Sequence, residues 1–128
     1  MPNAPRTRLL AWIPALTWAG FIFFLSTLKA GSRPPPWVLS NDKVVHAVLF
    51  GILSFWIYFG VRRGHGRGRW TAALAGFLAA SLYGGADEIH QMWTPTRVPD
   101  LMDWLADAVG AACVFVIALL PSRHEPSR

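Results

Sequence analysis

The chain has 128 residues, of which 53% are hydrophobic and 15% charged, against roughly 45–50% apolar and about 25% charged in soluble domains. Seven Trp and eight Phe add to the excess. This composition excludes a disordered tail, a disulfide scaffold and an ordinary soluble domain. The length fits one domain, residues 1–128. The single cysteine, Cys113, cannot form an internal disulfide, so cysteine usage is silent on compartment. The formal charge of +5 invites a nucleic-acid partner until the placement of the charges is considered.

Four apolar stretches follow in chain order. The first, residues 9–28, carries no charge and contains Pro14 as a potential kink. A loop follows, in which Pro34, Pro35 and Pro36 favour an extended polyproline path and Trp37 suits the membrane interface. Ser40, Asn41 or Asp42 is placed to cap the second stretch, residues 44–61, whose sole ionisable group is His46. Residues 62–69 read RRGHGRGR, a short, flexible, basic turn. The third stretch, residues 70–90, reaches full length only by including Asp87-Glu88-Ile89-His90. Pro95 and Pro99 then break the chain on either side of Arg97, and the fourth stretch, residues 101–120, contains Asp103 and Asp107.

A helix needs about 20 apolar residues to cross a bilayer. The expected fold is therefore an all-α membrane protein with four transmembrane helices. A soluble bundle fits poorly, because three of the stretches lack a polar face. A cleaved signal peptide also fits poorly, because Leu28-Lys29-Ala30 is a weak A-x-A site.

Lys and Arg accumulate on the cytoplasmic side of membrane proteins. With the N-terminus inside, the inner ends carry Arg6, Arg8, Arg62, Arg63, Arg67, Arg69, Arg123 and Arg128, and the outer ends only Lys29, Arg33, Lys43 and Arg97. The acids divide the opposite way. Asp42, Asp87, Glu88, Asp100, Asp103 and Asp107 lie at the outer end, and Glu125 alone lies inside. Both termini are thus expected in the cytoplasm. The basic charge reads as a topology signal and an attraction to anionic lipid, with no nucleic-acid partner.

A mere membrane anchor does not need the polar cluster at the outer end. Lys43 and His46 share a helix face three residues apart, as do Glu88 and Gln91; Asp87 and Gln91 are four apart. Asp100, Asp103 and Asp107 follow an i, i+3, i+7 stripe that Gly110 and Ala111 continue with small residues. Asp107 lies roughly 10 Å of helix rise beyond Asp100, so it must face a partner or a wet cavity. Several neighbouring carboxylates cannot all ionise cheaply, and such groups gather at functional sites. Each residue also has a plainer role. Lys43 is an interface snorkeller, His46 a buried hydrogen-bonding group, and Asp42 and Asp100 helix caps; Asp87 and Glu88 lie in the headgroup layer, His90 at the interface, and Cys113 as a small apolar filler. Convergence from three spans favours a site.

These residues resemble the VanZ-like family of small bacterial membrane proteins. The resemblance rests on Asp42-Lys43-Val-Val-His46, on Tyr83-Gly-Gly-Ala-Asp87-Glu88-Ile-His-Gln91, on Thr94-Pro-Thr-Arg97, and on Asp100-Leu-Met-Asp103 with Asp107 and Gly110. It covers about residues 40–115. Asp107 stands where Asn is as usual as Asp, and Pro95-Thr96 replaces a more usual Pro-Gly. The resemblance implies a multi-pass protein of the bacterial cytoplasmic membrane linked to glycopeptide resistance, to teicoplanin more than vancomycin.

Two mechanisms fit. One is a non-enzymatic binder of a lipid-linked molecule or lipoglycopeptide, with the cluster on the headgroup and the spans receiving the acyl chain. The other is an interfacial enzyme. There Glu88 or Asp87 is general base and His46 general acid or base, while Lys43 and Arg97 hold an anionic group. Asp103 joins the catalytic set, and Gln91 and Asp107 the substrate-binding set. A divalent metal on Asp87, Glu88 and Asp103, with His46, is a variant; such ligands suit Mg²⁺ or Mn²⁺ better than structural zinc. No established metal spacing and no Ser or Cys beside a base is present. Transport is a third role, for which the chain is small unless it oligomerises.

Overall fold

The computed structural model describes residues 4–28, 37, 41–94 and 98–121. Among these, four long helices account for nearly everything: α1 (Pro5–Thr27), α2 (Asp42–His65), α3 (Arg69–Gln91) and α4 (Leu101–Leu119). At 1.5 Å per residue they run about 28–36 Å, the thickness of a hydrocarbon core. α1, α2 and α4 are long and apolar enough to cross a membrane. α3 has the length but is diluted by small residues and by Asp87, Glu88, His90 and Gln91, so the expectation of four apolar spans holds for three. Leu9, Leu16, Phe24, Leu82, Val109 and Ile117 are all more than half exposed, a surface suited to lipid.

Local chemistry sets the ends. Pro5 opens α1, where its missing N–H costs nothing, and the helix runs unbroken through Pro14. The Asp100 side chain accepts from the Met102 amide at 2.8 Å and so caps α4. Asn41, not Asp42, holds the cap position of α2; its side chain makes no cap bond and instead donates to the Trp37 carbonyl at 2.9 Å. The expected flexible turn over residues 62–69 is mostly helix. α2 continues to His65, Gly66 takes φ +62° and returns its N–H to the Arg62 carbonyl, and α3 begins at Arg69. Only a residue without a Cβ adopts that angle cheaply, so Gly66 makes a three-residue connection possible. Pro34, Pro35, Pro36, Ser40, Pro95 and Arg97 lie outside the described residues.

The helices alternate in direction. α2, α3 and α4 each pack against the other two, and α1 leans mainly on α2. Ile22, Phe50, Leu53, Ala80 and Ala111 form the core. Polar links join the pairs: Trp18 Nε1 donates to the Leu49 carbonyl at 2.9 Å, Tyr83 Oη to Ala19 at 2.7 Å, and Trp104 Nε1 to Ser81 at 2.9 Å. Without a hydrophobic drive between spans, such bonds and close backbone approach hold a bundle together. The closest approach is at Gly110, where a Cβ would run into the Ala47 carbonyl of α2. This arrangement gathers the starts of α2 and α4 and the end of α3 at one end of the bundle. Arg62, Arg63 and Arg69 lie at the other.

Candidate functional site

Lys43, on the first turn of α2, bridges to α4. Its Nζ donates to Asp100 Oδ2 at 2.8 Å and to Asp103 Oδ1, and lies 3.6 Å from Asp42. The side chain stays 46% exposed, so this charge faces the medium while tying two helices. The Lys43 ammonium, with help from the Met102 amide, holds the Asp100 carboxyl below the ordinary carboxylate range.

His46, one turn deeper, joins the outer acids to the buried ones. Its Nδ1 lies 2.8 Å from Asp107 Oδ1, and its Nε2 faces Asp42 at 3.9 Å and Asp103 at 3.8 Å. Asp107 is wholly buried. It fits there because α3 presents Gly84; a Cβ at that position would fall 2.7 Å from Asp107 Oδ2. Glu88, one turn further along α3, is 8% exposed. Its Oε2 accepts the Asp100 backbone N–H at 2.9 Å, which fastens the start of α4 to the end of α3. Glu88 Oε1 and Asp107 Oδ2 are both buried without a hydrogen-bond partner among the described residues.

The structure therefore brings Lys43, His46, Glu88, Asp103 and Asp107 together. Asp87 and Gln91 are buried beside them but pair with each other, Gln91 Nε2 donating to Asp87 Oδ2 at 3.4 Å. Expected as a metal ligand with Glu88 and Asp103, Asp87 does not join either carboxylate–imidazole group. Those groups are Asp42–His46–Asp103 and His46–Glu88–Asp107. Asp107, expected to touch substrate, is fully buried between His46 and Gly84. Arg97 lies outside the described residues. His90 stands apart, its ring 5.0 Å from that of Phe23.

Sequence reasoning missed Asp42, which it treated as a cap; its i, i+4 spacing to His46 was the available signal. It also missed the groove beside the cluster. Between α2 and α4, Val44, Ala47, Gly51, Val109 and Cys113 line an open, shallow apolar groove of about 680 Å³, and Lys43 stands at its edge.

Among the described residues, Lys43 is the sole permanent cation at this end. It faces Asp42, Asp100 and Asp103, while His46 alone faces Glu88 and Asp107. No curated protein matches the chain, and no solved structure does. The family model for VanZ/LLP1, in contrast, matches residues 3–121, nearly the whole chain and every residue of the cluster. The chain belongs to the VanZ/LLP1 family.

Proposed function

We propose that this is a multi-pass protein of the bacterial cytoplasmic membrane, one domain with four spans and cytoplasmic termini, which binds an anionic, lipid-linked cell-envelope molecule at its outer face. The arginine distribution supports the orientation, and α3, whose Asp87, Glu88 and Gln91 are buried against its neighbours, is the fourth span. The binding reading rests on one observation. Lys43, the exposed ammonium of the cluster, stands at the edge of the apolar α2–α4 groove. A phosphate or carboxylate head on Lys43 would place its acyl chain in that groove, where both are solvated as in the bilayer. The family resemblance makes a lipid-tailed glycopeptide, teicoplanin, or the envelope lipid it targets, the first ligand to try.

A second reading is favoured by the His46–Asp107 bond. A buried carboxylate on Nδ1 orients an imidazole so that Nε2, on the more exposed side, can serve as general base. On that reading the same molecule is also chemically altered, with Glu88 and Asp103 as further acid–base groups and Asp87 behind them.

The test is susceptibility in a host lacking the protein, comparing teicoplanin with vancomycin. Cells would carry empty vector, wild type, Lys43→Ala or Glu88→Gln. A binder gives a teicoplanin-selective shift that Lys43→Ala abolishes. Loss in Glu88→Gln with Lys43→Ala unharmed moves the assignment to acid–base chemistry. No shift for expressed wild-type protein rejects the glycopeptide ligand.

A further inference from the structure

Two buried carboxyl groups, Glu88 and Asp107, meet one imidazole, His46, at a depth where few charges are available to balance them. Each of the three offers one ligand atom, and these atoms all lie within 4.8 Å of one another. In a divalent site with metal–ligand distances of about 2.1 Å, neighbouring ligand atoms stand roughly 3.0–3.4 Å apart and opposite ones about 4.2 Å. At most about 2 Å of approach brings the three atoms to that spacing.

A second observation points the same way. Glu88 Oε1 and Asp107 Oδ2 are buried with no hydrogen-bond partner among the described residues, on residues only 8% and 0% exposed. An unpaired buried carboxylate oxygen is costly. Both orphaned atoms belong to the two carboxyl groups of this cluster. Lys43 does not reach them; its bonds go to Asp100 and Asp103.

We infer that His46, Glu88 and Asp107 form a divalent-cation site in the bundle. The ion's two positive charges offset the two carboxylates. One nitrogen and two carboxylate ligands suit Mn²⁺ or Zn²⁺ better than Mg²⁺, which accepts nitrogen reluctantly. Water completes the coordination from the side of Asp42 and Asp103. The site deepens the proposed function by giving the cluster a second positive centre for an anionic head, and it rests on that reading for its biological meaning only.

The experiment is Mn²⁺ titration of the full chain in nanodiscs, followed by electron paramagnetic resonance, with metal content measured after purification. The expected result is one ion per chain, with affinity at least tenfold weaker in His46→Ala and in Glu88→Gln. Glu88→Gln keeps the acceptor for the Asp100 N–H and so preserves the fold. His90→Gln, apart from the group, keeps wild-type binding. Absence of saturable Mn²⁺ or Zn²⁺ binding overturns the inference, and so does binding that survives both ligand variants. A metal site without a teicoplanin shift leaves this inference standing and rejects the glycopeptide ligand. A teicoplanin shift without metal binding does the reverse.

Discussion

Adding one methyl group to α3 separates the cluster's packing from helix propensity. In Gly84→Ala the new Cβ lies 2.7 Å from Asp107 Oδ2 and 3.0 Å from Asp107 Cβ, where ordinary contact begins at 3.4 Å. The shortfalls are about 0.7 and 0.4 Å. The second cannot be relieved by turning the carboxyl, because Cβ moves only with the α4 backbone. Overpacking of this kind costs about 1–3 kcal/mol. Displacing the carboxyl also weakens its 2.8 Å bond to His46, a charge-assisted contact of about 1.5–3 kcal/mol. Helix propensity returns up to about 1 kcal/mol. The net expectation is a loss of about 1–4 kcal/mol, a roughly fivefold or greater fall in the ratio of folded to unfolded protein. In Gly85→Ala the nearest atom is Trp104 Nε1 at 3.4 Å, an ordinary contact, so that variant should be neutral or slightly stabilised. Reversible unfolding in bicelles compares the two. Equal stability of the neighbouring variants, or a more stable Gly84→Ala, refutes the packing of Asp107 against Gly84.

Glu88→Gln should fold almost as well as wild type, whereas Glu88→Ala orphans the Asp100 N–H and should lose about 1–3 kcal/mol in the same unfolding assay. Lys43→Ala, at a partly exposed ion pair, should change stability by less than about 1 kcal/mol yet abolish retention of anionic lipid in a vesicle-binding assay. For Asp100, the folded-state value lies below the ordinary 3.8. The unfolded chain therefore takes up this proton first as pH falls. The Lys43–Asp100 contribution is fully present above about pH 4 and disappears as pH drops through the lower folded value. Unfolding between pH 5 and 8 should show no change from this pair, and Asp100→Asn should flatten the acid limb below pH 4. Trp104→Phe removes the bond to the Ser81 carbonyl and should cost about 0.6 kcal/mol, the mean for such links between spans.

Much of the fold was legible because apolar length is written directly in sequence. The four stretches coincide with the four helices to within a few residues, except at residues 62–65, where arginines suggested a turn and helix continued to the Gly66 cap. The i, i+3, i+7 stripe of α4 also told which acids would share a face, since that follows from helical period alone. Pairing across helices was less visible. Nothing in the spacing of Asp87 and Glu88 says that the first bonds to Gln91 and the second holds the Asp100 N–H. That choice depends on the rotation of α3, which Gly76 and Gly84 set by admitting Ser54 and Asp107 as close neighbours. The groove was invisible for the same reason, being a gap between two helix surfaces.

Binding of an envelope molecule requires the cluster to face outward. In a Cys113→Ala background, single cysteines at Val98, 85% exposed beside the cluster, and at Gly68, whose Cβ direction is open, would be treated with a membrane-impermeant maleimide in intact cells. With the cluster outside, Val98→Cys is labelled at once and Gly68→Cys only after permeabilisation. The opposite pattern would place the carboxylates and Lys43 in the cytoplasm, and an envelope ligand could not reach them.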